Sequence, residues 1–344
     1  MALDPNFDLS VLAYDSSVES SFNRELMEGV NWFPLSDRER EDLPHVIELV
    51  ASREPDVIVV AGWLNAAYVA LFHQARFSKC HMVMGMDTPW RNEFRQRCAP
   101  FLLKRFLRKI DAVVVPGERS WQYARHLGFD ENQIHRGLYG IDYSALSLLF
   151  QQRNAGRWPQ AFLFAGRYHH QKGIDVMIDA YKAYRMKVAH PWPLVCCGKG
   201  KLEGALTGNR GITNLGFLQP SEIRSLYTRA GAFLLPSRYD PWPLALVEAC
   251  AAGLPVIASN ACGSAVECVR DNISGYLTAT AESGALTEAL VRVHQTYDQL
   301  PSMGAIGQTL ARPYSADSWL ENWRELIFKT LERTTPGRQE NRSE

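Results

Sequence analysis

The stretch Leu234–Ser259, LLPSRYDPWPLALVEACAAGLPVIAS, reads as the end of a strand, a loop, a helix and a second strand. The first strand is the apolar run over Ala232–Leu235. The helix is expected over Leu244–Ala252, because Gly253 and Pro255 form the usual stop signal. Pro243 suits its first turn, where a missing N–H had no intrahelical partner anyway. The second strand is Pro255–Ser259. Strand, helix and strand in this order make the unit from which parallel sheets are built.

The same rhythm extends in both directions. Further strands are expected at Leu9–Tyr14, Asp56–Ala61, His81–Met86, Ala112–Pro116, Ala161–Ala165 and Leu194–Cys197. They are rich in Val, Ile and Leu without strict alternation, as strands are when both faces are covered. The fold class is therefore α/β. The chain has 344 residues, a comfortable length for two Rossmann-like domains. The pattern breaks at SLLFQQRNAGRWPQ (147–160), and the boundary is placed there. An N-terminal domain over 1–148 and a C-terminal domain over 149–314 are expected. A last helix over 315–333, with Trp319, Trp323 and Ile327 at spacing four, and a polar, disordered tail over 334–344 follow.

Composition excludes several classes. Apolar residues make up 46% and charged residues 22%, which suits a soluble globular chain with ample core. Thirty-seven cations balance thirty-seven anions, so nothing global points to nucleic acid. The seven cysteines are odd in number and hold no C-x-x-C pair, which argues against a disulfide framework or a zinc site and for buried thiols in a reducing cytoplasm. No signal peptide opens the chain, and no apolar run of ~18 residues is present to span a bilayer.

The second half carries the chemistry. In AFLFAGRYHHQKGIDVMIDAYKAYR (161–185) a strand ends at Gly166, Arg167 and Lys172 lie in the loop, and a helix starts near Gly173. Ligands of open α/β sheets sit at strand carboxyl ends beside helix N-termini, so two cations there suit a diphosphate. Ordinary surface charges would show the same spacing. PLVCCGKGKLEGAL (193–206) holds Gly198-x-Gly200, where glycines permit a sharp turn and close approach of a ligand. It is a cousin of the dinucleotide fingerprint and keeps an NAD-dependent oxidoreductase in view. The acidic residue that such a site wants is absent from ITNLGFLQP (212–220). Asp240 falls in the loop before the helix, and Glu248 about one turn into it, among small and apolar neighbours where a carboxylate needs a partner. Asp240 can cap that helix or accept sugar hydroxyls, and Glu248 can accept a ribose. Gly263 and Ser264 follow the next strand, and Glu267 reads as a helix cap or a ligand contact.

These elements, in this order, resemble family 4 of the retaining glycosyltransferases, which share the GT-B architecture of two Rossmann-like domains facing an interdomain cleft. The resemblance covers roughly 110–330. It rests on G-R-x(4)-K-G-x-D at 166–175, G-x-G at 198–200, NLGF at 214–217, Pro236-Ser237, two carboxylates with seven residues between them, G-x-P-V-I-A-S at 253–259 and SGYL at 274–277. It implies a nucleotide-sugar donor, UDP- or GDP-linked, bound as substrate with no cofactor and no metal. Arg167 and Lys172 would hold the diphosphate, Glu248 the ribose and Asp240 the donor sugar. Gly166, Gly198, Gly200 and the amides of Trp242, Leu244 and Ala245 would line the donor site. The sequence departs from the family pattern in three ways. Asp240 stands where Glu is usual. The usual glycine-rich loop reads Pro241-Trp242-Pro243, which removes two N–H donors. NFDLSVLAYDSSVESSFNREL (6–26) is similar to the family's second strand, so an N-terminal domain without its first strand is expected.

In the first half, HMVMGMDTPWRNEF (81–94) places Asp87 just past a strand, as an acceptor contact, a proton acceptor or a simple turn residue. RNEFRQRCAPFLLKRFLRKI (91–110) holds seven Arg or Lys and one Glu, interleaved with Phe94, Phe101, Leu102, Phe106 and Leu107. Such a segment suits an anionic bilayer and a lipid-linked acceptor, or a core helix with a solvated basic face. The expected partners are a nucleotide sugar and a glycan or lipid-linked acceptor, with no nucleic acid. The expected location is cytoplasmic, peripheral on the inner face of the plasma membrane. A non-catalytic relative with a degraded donor site is the alternative that Pro241 and Pro243 raise.

Overall fold

The computed structural model describes residues 4–14 and 29–332. The chain divides into two compact units, Met1–Leu138 with Trp319–Glu344, and Tyr139–Ser318. The division falls at 138/139, not at 148/149.

The first unit contains β1 (Ser10–Tyr14), β2 (Asn31–Leu35), α1 (Leu43–Ala51), β3 (Val57–Ala61), α2 (Ala66–His73), β4 (His81–Gly85), α3 (Phe94–Leu102), α4 (Lys104–Leu107), β5 (Ala112–Val115), α5 (Glu118–His126) and β6 (Ile134–Arg136). Strands β3-β4-β5-β6 form one parallel sheet, and β1 pairs in parallel with β2 in another. The core lies where β4 and β5 are fully covered, with Met84, Val113 and Val115 at its centre.

The second unit contains α6 (Tyr143–Asn154), β7 (Phe162–Ala165), α7 (Ile174–Lys187), β8 (Leu194–Cys197), α8 (Glu203–Leu206), β9 (Ile212–Asn214), α9 (Pro220–Arg229), β10 (Ala232–Leu235), α10 (Leu244–Ala251), β11 (Val256–Ser259), α11 (Ala265–Cys268), β12 (Gly275–Thr278), α12 (Ser283–Gln295) and α13 (Leu300–Ala311). Helix α14 (Ala316–Glu332) follows. From Trp319 it belongs to the first unit, where Trp323, Leu326 and Ile327 pack against Val83, Ala112 and Val114. The indole N–H groups of Trp319 and Trp323 donate to the carbonyls of Leu138 and Gly137.

The second unit's sheet has the order β12-β11-β10-β7-β8-β9, and every pair is parallel. Two runs of three strands thus leave from neighbouring centres, β7 and β10. The order reverses between them, which makes a topological switch point. Strands β7, β10 and β11 are buried at every residue, because helices cover both faces. Helix α7 presents Ile174, Met177, Ile178 and Tyr181 inward at helical spacing.

β12 is the short strand expected after the turn in RDNISGYL (270–277), and three further strands have no counterpart among the expected ones. β6 and β9 are three-residue edge strands, too short for a period, and β2 contains Pro34 and buries only Leu35. The expected linker also differs. Residues 147–154 belong to α6, whose inner face carries Leu146, Leu149, Phe150 and then Arg153. A charged residue at the fourth inward position hides the period. Arg153 is buried, donates to the carbonyls of Tyr227, Ala252 and Gly253, and lies 4.9 Å from the Trp158 ring centre. Burial pushes its pKa down to about 10. It ties three helices together by satisfying carbonyls in the last turn of α9 and at the end of α10. The polar tail expected over 334–344 lies outside the described residues.

Removal of this clamp leaves buried carbonyls unpaired. Arg153→Ala is expected to cost roughly 3 kcal/mol or more in urea unfolding of the full chain. Arg153→Lys recovers only part, because an ammonium lacks the planar fork.

Candidate active site

The site is assembled from loops at the carboxyl ends of β7, β8, β10 and β11, and close backbone contacts hold these loops together. Gly173 has φ +69° and caps α7, and a Cβ there would sit 2.1 Å from the Pro236 carbonyl oxygen. The β7 loop thereby lies directly on the β10 loop. The Arg238 N–H donates to Gln171 O across the same junction (2.7 Å). Gly263 has the same function one loop further on, since a Cβ there would meet Pro241 O at 1.7 Å.

Lys172 and Asp240 meet at this junction. Their side chains form a largely buried ion pair, and the Ser237 hydroxyl donates to the same Asp240 oxygen (3.4 Å). Burial raises the Asp240 pKa above the ordinary carboxylate value, and the Lys172 ammonium, the Ser237 hydroxyl and the Arg167 guanidinium oppose that rise. Arg167 itself is exposed at the loop surface, one residue beyond Gly166. The four residues Gly166, Arg167, Lys172 and Asp240 therefore share one crevice, at the switch point between β7 and β10. The Asp240 carboxylate is engaged by the chain's own lysine, which differs from a carboxylate held free for sugar hydroxyls.

The helix that follows supplies the second half of the site. Pro243 is the N-cap of α10, not a residue of its first turn, and no side chain caps the helix. The first-turn N–H groups of Leu244 and Ala245 have no intrahelical acceptor, and the positive end of the helix dipole lies there. Trp242 contributes its amide only. Its ring is buried and packs 5.4 Å from Tyr314. Ser264 donates its hydroxyl to Pro243 O (3.1 Å), so it braces the loop. Glu248 lies on α10 and accepts from the Tyr227 hydroxyl of α9 (3.1 Å). Burial raises its pKa, against the Tyr227 hydrogen bond and the Arg224 charge.

Gly198 and Gly200 pack two loops of the site together. Their φ values are +147° and +152°, and a Cβ at either would strike the chain's own carbonyls, Gly166 O at 1.9 Å and Tyr168 O at 2.4 Å. They let the β8 loop dock onto the β7 loop. Asp87 belongs to the first unit, where its carbonyl accepts from the Ser120 hydroxyl. Two features have no counterpart in the sequence reading. Tyr227 is the partner of Glu248, and nothing in SLYTRAG marks it. Arg238 forks onto both oxygens of Asp175 (2.6 and 2.6 Å) and reaches His170 O, which pins the cation-bearing loop. Asp175 sits in the K-G-x-D motif, but its partner lies more than sixty residues away.

Comparisons with known proteins give the family and the fold. The family "Glycosyl transferases group 1" matches residues 149–308, and "Glycosyl transferase 4-like domain" matches residues 7–138. The chain belongs to the family 4 glycosyltransferases of the GT-B fold. The amylovoran biosynthesis glycosyltransferase AmsK of Erwinia amylovora is 27% identical over 246 residues, 67% of this chain and 56% of that protein. The phosphatidyl-myo-inositol mannosyltransferase of Mycobacterium leprae is 30% identical over 179 residues, 50% of this chain and 46% of that protein. The chain thus spans about half the length of these curated relatives. Among solved structures, Anabaena HepE in complex with UDP and glucose superimposes with a TM-score of 0.69 at 19% identity over 89% of each chain, a likeness of fold.

The raised pKa of Glu248 has a consequence for stability. A carboxylate whose folded pKa lies above its unfolded value binds protons more tightly when folded, so its contribution to stability falls as pH rises from the ordinary value through the folded one. Glu248→Gln keeps the Tyr227 hydrogen bond without the buried charge. Its melting temperature is expected to exceed the wild type's at pH 8, and the gain is expected to shrink toward pH 4 in a pH series of thermal unfolding.

Proposed function

We propose that the protein is a metal-independent, retaining hexosyltransferase. It moves a sugar from a UDP- or GDP-linked donor to a glycan, lipid-linked or small acceptor in cell-surface polysaccharide or glycoconjugate synthesis. It works in the cytoplasm at the inner face of the plasma membrane. The observation that carries the reading is the meeting of Arg167, Lys172 and the uncapped start of α10 at one switch point. Two cations and free first-turn amides are what a diphosphate needs.

In this reading the diphosphate lies between Arg167, Lys172 and the amides of Leu244 and Ala245. Glu248, aimed by Tyr227, accepts the ribose hydroxyls. Charge develops on the departing phosphate as the glycosidic bond breaks, and the same cations meet it. They take the role that a divalent ion has in other transferases. Asp240 orients Lys172 and leaves its second oxygen to the donor sugar. Asp87 contacts the acceptor. The relatives fit this class, since one acts in amylovoran synthesis and another is a mannosyltransferase of phosphatidyl-myo-inositol. UDP is the first base to try, because it is bound in Anabaena HepE.

The test is binding and slow hydrolysis of UDP-, GDP- and ADP-sugars by the full chain in EDTA. One nucleotide sugar is expected to bind and to turn over without metal. Lys172→Ala and Glu248→Gln should each weaken donor binding or kcat/KM by about tenfold or more, the loss of about one charge-assisted hydrogen bond. Wild-type turnover in both variants overturns the assignment. A folded protein that binds none of the donors supports the degraded, non-catalytic relative, for which the proline-flanked loop gives the reason. Asp240→Asn should weaken free nucleoside diphosphate through Lys172, and nucleotide sugar further through the lost sugar contact. Loss confined to the nucleotide sugar would make Asp240 a sugar contact alone.

A further inference from the structure

The segment 91–110 has two apolar faces, and only one is used. Gln96, Ala99, Phe106, Leu107 and Ile110 are buried, and Phe106 and Leu107 belong to the first unit's core. The other face is bare. Phe94 is 82% exposed, Phe101 82% and Leu102 80%. Phe94 and Phe101 are seven apart, two helical turns, so they share one side of α3. Pro100 lies in the last turn and the helix ends at Leu102, which places Phe101 and Leu102 at the corner between α3 and α4.

Cations surround this apolar side. Arg91, Arg95, Arg97, Lys104, Arg105, Arg108 and Lys109 are all exposed. Glu93 is the one acid of the segment, and it pairs with Arg91 and Arg95. Among the described residues, Arg97, Lys104, Arg105, Arg108 and Lys109 have no ion pair. In a chain of zero net charge, this is a local concentration of uncompensated positive charge around three protruding apolar side chains.

We propose that this face docks on an anionic lipid bilayer, with Phe94, Phe101 and Leu102 entering the headgroup boundary and the flanking Arg and Lys held at the phosphates. The two features together select the occupant. A nucleic acid would use the cations but has no place for Leu102 in an apolar phase. A protein partner would cover the apolar residues but has no need of so many like charges. A charged bilayer surface uses both, through apolar insertion and attraction to anionic headgroups. Each apolar side chain that enters is worth about tenfold or more in partition, and each cation near the surface about fivefold. The docking does not rest on the assignment of the donor site, which lies in the other unit.

The experiment is sedimentation of the full chain with sucrose-loaded vesicles, of phosphatidylcholine alone and of phosphatidylcholine mixed with phosphatidylglycerol. Wild type should bind the mixed vesicles more than about tenfold better than the neutral ones and be released by salt. The Phe101→Ser/Leu102→Ser variant should lose about a hundredfold or more on mixed vesicles. The Arg105→Glu/Arg108→Glu variant should lose the preference for anionic lipid. All four side chains are exposed, so thermal unfolding should match wild type in both variants and exclude misfolding. Absence of binding to mixed vesicles at low salt overturns the proposal. So does wild-type binding by the Phe101→Ser/Leu102→Ser variant, which would leave only diffuse electrostatic adsorption.

Discussion

The contact between Lys172 and Asp240 links two loops that are far apart in sequence and adjacent in the sheet, because β7 and β10 are neighbours at the point where strand order reverses. A buried carboxylate without that ammonium would keep only the Ser237 hydroxyl and the charge of the exposed Arg167, a costly state in a low-dielectric crevice. The pair holds only if the loops touch, and the loops touch only because Gly173 and Gly263 leave their Cβ positions to neighbouring carbonyls. Charge, backbone conformation and strand order thus constrain one another at this place.

Two buried charged groups of the second unit serve different ends. Arg153 satisfies carbonyls at the ends of two helices, so it belongs to the scaffold. Glu248 is different. Among the described residues its side-chain hydrogen-bond partner is the Tyr227 hydroxyl, and burial raises its pKa. It lies on the helix that opens beside Lys172 and Arg167, where the proposed donor site would use it.

Much of the second unit was legible in the residues. The strands at 194–197 and 232–235 carry the bounds that their apolar runs indicate, and Ile174, Met177, Ile178 and Tyr181 share the buried face that their spacing implies. The cations Arg167 and Lys172 lie in the loop where the motif places them. The first unit was less legible. Its short strands lack a period, and Pro34 interrupts the signal of β2. The first part of the break read at 147–160, through Asn154, is the tail of a helix, because an arginine on the inner face looks like solvent exposure until its carbonyl partners are known.

Local sequence determined the class of each element, the parallel α/β rhythm, the loops that bear charge and the family they resemble. All of these depend on residues within one or two turns of each other. Tertiary structure alone decided that Asp240 answers Lys172, that Tyr227 aims Glu248, that Arg238 forks onto Asp175, and that Gly198 and Gly200 pack the β8 loop on the β7 loop. It also decided which of the two apolar sides of 91–110 is core and which is bare. These are pairings between segments distant in the chain, and burial gives them their energy. A charge or a ring has its meaning from what lies across from it, which only the folded chain specifies.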